Sequence, residues 1–260
     1  FDQFRKKIIG IDDCIETPYG EKKLIYADWI ASGRLYKPIE KRISEEIGPM
    51  VGNTHSESTA TGKAMTDAYH MAQKIVKRHV HADEDDILIF TGTGMTSALA
   101  KLQRILGLKV PEQAINYCVF THGEYNACRE IPNENRPVVF LTHTEHHSNH
   151  TSWFETLAEV VVLEPASDLK VDPDILREKI VKYKNRPLLI GSFTACSNVT
   201  GYMPPYHELA RIMHENNGYC FVDFAASAPY VDINMHPSDK MEQLDAVFFS
   251  PHKFLGGPGS

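Results

Sequence analysis

A lysine directly after an apolar strand can serve as an amine nucleophile, and Phe248-Phe249-Ser250-Pro251-His252-Lys253 has that form. Partial desolvation at a strand end favours the neutral amine that Schiff-base chemistry needs. Taken alone, Lys253 reads as a solvated loop lysine, as most lysines are. A second apolar run, Tyr219-Cys220-Phe221-Val222-Asp223, ends in a carboxylate. An acid there is costly without a cationic partner. Beside a pyridine nitrogen it would favour the protonated ring; otherwise it caps the next turn.

Two further segments could bind or stack on a ligand. Thr93-Gly94-Met95-Thr96-Ser97 lies between a strand-like run and a helical one. Backbone N–H groups at a helix start, together with hydroxyls, suit a phosphate. The turn is no P-loop, because no Gly-Lys-Ser/Thr follows. His143 to His150 holds four histidines and Glu145 within eight residues. That density resembles a metal site, but the spacing is not HExxH and the stretch follows a strand rather than riding a helix. A flat imidazole at a strand end can instead stack on an aromatic ring, with His143 and His150 read as surface residues.

These residues need elements to hold them. Strands are expected at Lys23–Asp28, Ile87–Phe90, Val138–Leu141, Glu159–Leu163, Leu188–Ile190, Tyr219–Val222 and Ala246–Phe249. Helical spacing runs from about Ser58 to His79 and again through Leu99, Leu102, Ile105 and Leu106, with Gly107 as a left-handed stop. Asp172-Pro173 and Pro204-Pro205 open two more helices. The strands are continuous and apolar rather than alternating, so both faces are covered. Strand–helix alternation then implies an α/β fold: a three-layer α/β/α domain on a mainly parallel sheet. The expected division is an arm over 1–50 and one large domain over 51–260. In such sheets a site lies beyond the carboxyl ends of the strands. Gly94 to Thr96, His146, Asn198, Asp223 and His252-Lys253 all fall there.

Bulk properties remove other classes. The 260 residues are 42% hydrophobic and 23% charged, as in globular proteins, with a formal net charge of −7. The acidic balance argues against nucleic acid held by phosphate contacts. Apolar runs such as Val160–Leu163 are far too short to cross a bilayer. Phe1 to Gly10 has no secretory pattern. Cysteines at 14, 118, 128, 196 and 220 form no CxxC and are odd in number. A reducing, cytoplasmic setting with mostly buried thiols follows.

In order and position, these motifs resemble the aminotransferase class V family, on its cysteine desulfurase and selenocysteine lyase branch. The resemblance runs from Tyr26-Ala27-Asp28 to Gly259. It is carried by Glu145-His146-His147-Ser148-Asn149 with Trp153, by Ser197-Asn198-Val199-Thr200-Gly201 and by Val222-Asp223. Ser250-Pro251-His252-Lys253 and Gly256-Gly257-Pro258-Gly259 complete it. It implies the large domain of a fold type I enzyme of pyridoxal 5'-phosphate. Lys253 would attach the cofactor and move the substrate α-proton. Asp223 would pair with the ring nitrogen, His146 would stack on the ring and Asn198 would bond its phenolic oxygen. Gly94, Met95, Thr96, Ser250 and His252 would hold the phosphate, and no metal is implied.

The chain departs from the family pattern at Ala226, where a glutamine usually stands three residues after the aspartate, with Ser227 a candidate substitute. Ser152-Trp153 replaces Pro-Trp, and Ala100 replaces a helix-start asparagine. The family continues past the glycine-rich turn into another strand and a small C-terminal domain. That domain carries the arginine for the substrate carboxylate and, in desulfurases, the sulfur-accepting cysteine; none of the five cysteines here matches that position. The resemblance implies a homodimer acting on an amino acid, with removal of sulfur or selenium to an acceptor, which can be a protein. Epimerase, kynureninase-like and aminotransferase reactions use the same residues. A non-catalytic PLP-fold fragment and a metal-dependent hydrolase built on the histidines are the other classes.

Overall fold

The computed structural model describes residues 1–111, 113, 121–122, 125–126 and 131–258. Gly259, Cys118 and Cys128 lie outside the described residues. The chain divides into two units. One comprises residues 1–88, Pro229–Asp232 and the segment from Ser250; the other comprises Ile89–Ala228 and Ile233–Phe249.

In the first unit, β1 (Cys14–Thr17) and β2 (Gly20–Lys23) form an antiparallel hairpin. Its turn needs a positive φ of 85° at residue 20, which glycine adopts without a side-chain clash. The expected strand at Lys23–Asp28 therefore ends almost where it was to begin. Leu24 N–H makes one last bond to Asp13 O at 2.8 Å. The chain then turns, with the Tyr26 hydroxyl donating to the carbonyls of Asp28 and Ser32. Helix α1 (Ala60–His79) follows. Thr59 caps it by accepting Gly62 N–H at 3.0 Å, and Lys77, Arg78 and His79 fall in the last turn, where the helix dipole favours cations. Ile87–Phe90 lies in no strand, and Ile87, Ile89 and Phe90 are exposed. An apolar run that short fixes a strand only when neighbours cover it.

The second unit carries the sheet. Its strands are β3 (Val138–Thr142), β4 (Glu159–Leu163), β5 (Leu189–Thr194), β6 (Tyr219–Asp223) and β7 (Ala246–Phe248). They lie in the order β4-β3-β5-β6-β7, and every pairing is parallel. β3 and β5 are buried at every residue, the signature of a sheet covered on both faces. Helix α2 (Met95–Ile105) packs on α3 (His147–Phe154), and α4 (Pro173–Ile180) packs on α5 (Tyr206–Glu215).

Alternate strand residues feed two cores. Val139, Leu141, Ile190 and Phe221 pack with Leu99 and Trp153. On the other parity Phe140 meets Tyr183 edge-on at 5.7 Å. Gly191 leaves room there for neighbours. A Cβ at that position would sit 2.3 Å from the Phe193 ring and 2.9 Å from Met213. The fold is thus α/β in three layers.

The helix signals read from sequence hold. Asp172 accepts Asp174 N–H at 3.0 Å ahead of Pro173, and Gly107 follows α2 with φ 70°. One expectation is corrected: the histidine stretch does ride a helix, since α3 begins at His147. Its polar residues hid the periodicity, because only Asn149 and Trp153 are buried.

Candidate active site

The ends of β3 and β5 meet on one carboxyl group. Glu145 follows β3 by three residues. Its Oε1 accepts from Thr142 Oγ1 at 2.6 Å, Thr142 N–H at 3.3 Å and Thr194 N–H at 2.9 Å. Oε2 accepts from Asn149 Nδ2 at 2.7 Å. Asn149 is 1% exposed. It uses its whole amide, with Nδ2 also reaching Ser192 O while Oδ1 accepts from Ser192 Oγ and Trp153 Nε1. Although residue 145 as a whole keeps some exposure, its carboxyl group is desolvated. Burial pushes the acid up to about 7, and the nearby negative charge of Asp223 pushes the same way. The bonds from Thr142, Asn149 and Thr194 favour the ionised form and only partly offset burial.

His146 stands beside this hub as the N-cap of α3. Its Nδ1 accepts Ser148 N–H at 3.1 Å, which assigns the neutral ring's proton to Nε2. The ring itself is exposed. Ser148 Oγ in turn accepts from Thr96 Oγ1 at 3.0 Å, tying the first turn of α3 to the first turn of α2. The start of α2 is capped by Gly94 with no side-chain acceptor. Thr93 and Gly94 both have φ near 64°. That is easy for glycine and strained for a β-branched residue, and such strain concentrates at functional sites. The Thr93 and Ser97 hydroxyls are hydrogen-bonded across this turn.

Asp223 ends β6 at 5% exposure. Its Oδ1 accepts Ala225 N–H at 2.8 Å, so it also performs the turn-capping role. In that turn Ser227 is 3% exposed and its hydroxyl has no hydrogen-bond partner among the described residues. A buried, unpaired hydroxyl costs roughly 1–3 kcal/mol, so it is a position from which a ligand atom can be bonded. Asn198 lies in the turn after β5, set by Ser197, whose Oγ accepts Val199 N–H at 3.3 Å and Thr200 N–H at 3.4 Å.

Ser250, His252 and Lys253 belong to the first unit. Pro251–Lys253 is a single 3-10 turn, with Lys253 N–H bonded to Ser250 O at 3.0 Å. The backbone at Gly33 and Arg34 packs directly on it. Gly33 N–H donates to His252 O at 2.9 Å, and Gly256 N–H donates to Arg34 O at 2.7 Å. A Cβ on Gly33 would sit 1.9 Å from Phe254 O, and one on Gly257 would sit 1.9 Å from Pro251 O. No side chain fits at either position.

Of the sequence-derived residues, the second unit gathers Gly94, Met95, Thr96, His146, Asn198 and Asp223 on loops and helix starts next to strands, and the first gathers Ser250, His252 and Lys253 on one turn. The Glu145 hub and the Gly33 contact were not read from the sequence. A threonine at a strand end with a glutamate three residues on and an asparagine four beyond that is the visible trace of the hub. Among the described cysteines, Cys14 is exposed, Cys196 half-buried and Cys220 buried. Burial raises the latter two thiols, so neither favours a thiolate.

Comparison with known proteins now adds to this geometry. The aminotransferase class V family profile matches residues 25–260. The chain belongs to that family. Among its relatives, a protein of Halalkalibacterium halodurans named "Probable cysteine desulfurase" is 26% identical over 236 residues, covering 91% of this chain and 52% of its own length. One of the same name from Halobacterium salinarum is 27% identical over 248 residues, covering 92% and 51%. The chain thus spans about half the length of the curated relatives it matches. The apo structure of a cysteine desulfurase from Thermococcus onnurineus NA1 superposes with a TM-score of 0.70 at 20% identity, over 100% of this chain and 54% of that one. At that identity the likeness establishes the fold.

The residues of the second unit fit two ends of pyridoxal phosphate. The start of α2, without a side-chain cap, offers an anion the N–H groups and positive end of a helix. Asp223 offers a buried carboxylate for a ring N–H, and the orphaned Ser227 hydroxyl offers a further bond to a polar substituent.

Proposed function

We propose that this chain is the cofactor-binding part of a pyridoxal-phosphate enzyme that removes sulfur from cysteine. The carrying observation is the family match over residues 25–260, which includes the lysine turn, the aspartate strand and the Glu-His-His-Ser-Asn helix start. When bound, pyridoxal phosphate supplies an electron sink for negative charge developing at the substrate Cα.

The chain's own residues supply the rest. Lys253 Nζ provides the amine of covalent attachment and takes the proton from the substrate Cα. Asp223 holds the ring nitrogen in its protonated state, as a buried carboxylate favours a cationic partner. His146 would lie against the ring. Asn198 donates to the phenolic oxygen, and Ser227 serves where Ala226 stands in place of a glutamine. Gly94, Met95 and Thr96 hold the phosphate through backbone N–H groups and a hydroxyl, aided by Ser250 and His252. In the overall reaction the C–S bond of cysteine breaks and the sulfur joins an acceptor thiol as a persulfide. That carbon gains a hydrogen in place of the sulfur, one of the two thiol hydrogens going there and the other staying on the persulfide, and the amino acid leaves as alanine.

Selenocysteine is a second substrate of the same chemistry. The arm over 1–50 with a large domain from 51, a homodimer and a protein sulfur acceptor in the cytoplasm complete the proposal. The names of the relatives support the substrate. Among the described residues no helix is long and apolar enough to cross a membrane.

The test is absorption spectroscopy during addition of pyridoxal phosphate, then of L-cysteine, L-selenocysteine and L-alanine. A saturable visible band that changes with cysteine, with formation of alanine, is the expected result. A band indifferent to every amino acid would overturn the assigned substrate class.

A further inference from the structure

We propose that Glu145 is a positioning residue whose carboxyl group locks the carboxyl ends of β3 and β5 to the start of α3 and sets, by its own charge, the potential felt by His146 and Asp223. This role is read on the cofactor site proposed above, but its test needs no cofactor.

The lock is geometric. Thr142 and Thr194 are the last residues of two adjacent strands, and both donate to Oε1. Asn149, in the first turns of α3, donates to Oε2. His146 sits between Glu145 and Ser148, its Nδ1 bonded to Ser148 N–H. Moving the carboxyl group would release the turn that aims the imidazole. Donors reach both oxygens, from Thr142 and Thr194 at Oε1 and from Asn149 at Oε2, so a carboxyl group can accept at both where an amide would set its own N–H groups against a donor. No cationic side chain is paired with Glu145 among the described residues. Asp223 at the end of β6 is the charged group that acts on it, and the histidines nearest in sequence are His146 at the start of α3 and His143 after β3, whose Nε2 meets Leu169 O at 3.1 Å.

The hydrogen bonds also show how a proton can come and go without disturbing the lock. Thr142 N–H, Thr194 N–H and Asn149 Nδ2 can only donate, so they persist in both states. A proton on Glu145 fits at Oε1 facing Thr142 Oγ1, 2.6 Å away. That hydroxyl then turns its hydrogen to Thr144 Oγ1 at 2.8 Å. Charge changes while position does not. Burial raises the acid to about 7, so both states are populated at neutral pH. The neutral form leaves Asp223 without a like charge beside it, and the ionised form opposes Asp223.

The experiment is NMR titration of the protein with 13C-labelled glutamate and histidine, without cofactor, together with Glu145→Gln. One glutamate carboxyl should titrate with a midpoint of about 7 rather than near the usual 4.5. The His146 ring resonances should show a step at the same midpoint, absent in Glu145→Gln. If the variant folds poorly, the wild-type glutamate carboxyl midpoint decides the matter, because an imidazole ring also shifts on its own protonation. A highest glutamate midpoint in the ordinary carboxylate range, or a His146 ring blind to the step, overturns the proposal. Neither result bears on pyridoxal-phosphate binding, which is measured separately.

Discussion

The strand ends around Glu145 and the turn carrying Lys253 are held by different physical means. Around Glu145, side-chain hydrogen bonds join residues far apart in sequence: Thr142, Asn149, Ser192 and Thr194 all converge on one carboxyl and one amide. At Lys253, backbone lies directly on backbone, with Gly33 and Gly257 leaving no room for a single added carbon. The first arrangement can change charge while keeping its shape. The second fixes shape through close backbone contact.

Substitutions that remove donors or add atoms should break this contrast most visibly. Asn149→Ala leaves the Trp153 indole N–H, Ser192 and Glu145 short of partners at once. With 1–3 kcal/mol for each orphaned buried group, the loss should be about 4 kcal/mol by chemical denaturation. A loss under about 1 kcal/mol would mean water or neighbours repair the network. Gly33→Ala should cost about 3 kcal/mol by overpacking against Phe254. Its unfolding free energy should carry no new pH dependence, which separates it from the Glu145 region.

The pH dependence itself comes next. The folded-state acid of Glu145 is raised above its unfolded value, so the protein binds that proton more tightly when folded. Its stabilising share is therefore full below about pH 4.5 and is lost as pH rises through about 7. The span is on the order of 3 kcal/mol. Denaturation midpoints measured from pH 4.5 to 8.5 should fall accordingly, and Glu145→Gln should flatten that part of the curve. A stability that rises across this interval in the wild type alone would contradict the burial argument. The smallest effect is expected at Ser227. Because its hydroxyl is already unpartnered, Ser227→Ala should change the stability of the cofactor-free protein by no more than about 1 kcal/mol, in the stabilising direction. The same variant should weaken pyridoxal-phosphate binding several-fold in a spectroscopic titration.

The sheet was legible in the sequence because its strands read as unbroken apolar runs: Val138–Leu141, fully buried, the partly buried edge strand Glu159–Leu163 and Tyr219–Val222 need no alternation to be recognised. Helix starts with a side-chain cap were equally plain, as at Asp172-Pro173. Ile87–Phe90 has the same composition yet lies in no strand, because an apolar run says nothing of whether a neighbouring strand is there to pair with it. Helix α3 was hidden by its polar residues, whose burial depends on a network rather than a stripe. Asp223 and Lys253 were candidates in the sequence because each follows an apolar strand. The Glu145 hub was not, since its partner Thr194 is 49 positions away and only the parallel pairing of β3 with β5 brings their ends together.

The central claim is that Lys253 is the amine that takes the cofactor. Borohydride reduction of the protein mixed with pyridoxal phosphate, followed by peptide mass mapping, tests it most directly. The account predicts one reduced pyridoxyl adduct, on Lys253, and its disappearance in Lys253→Ala while the fold is kept. A well-folded protein with no adduct at Lys253, or with adducts spread over surface lysines and unchanged by Lys253→Ala, would contradict it.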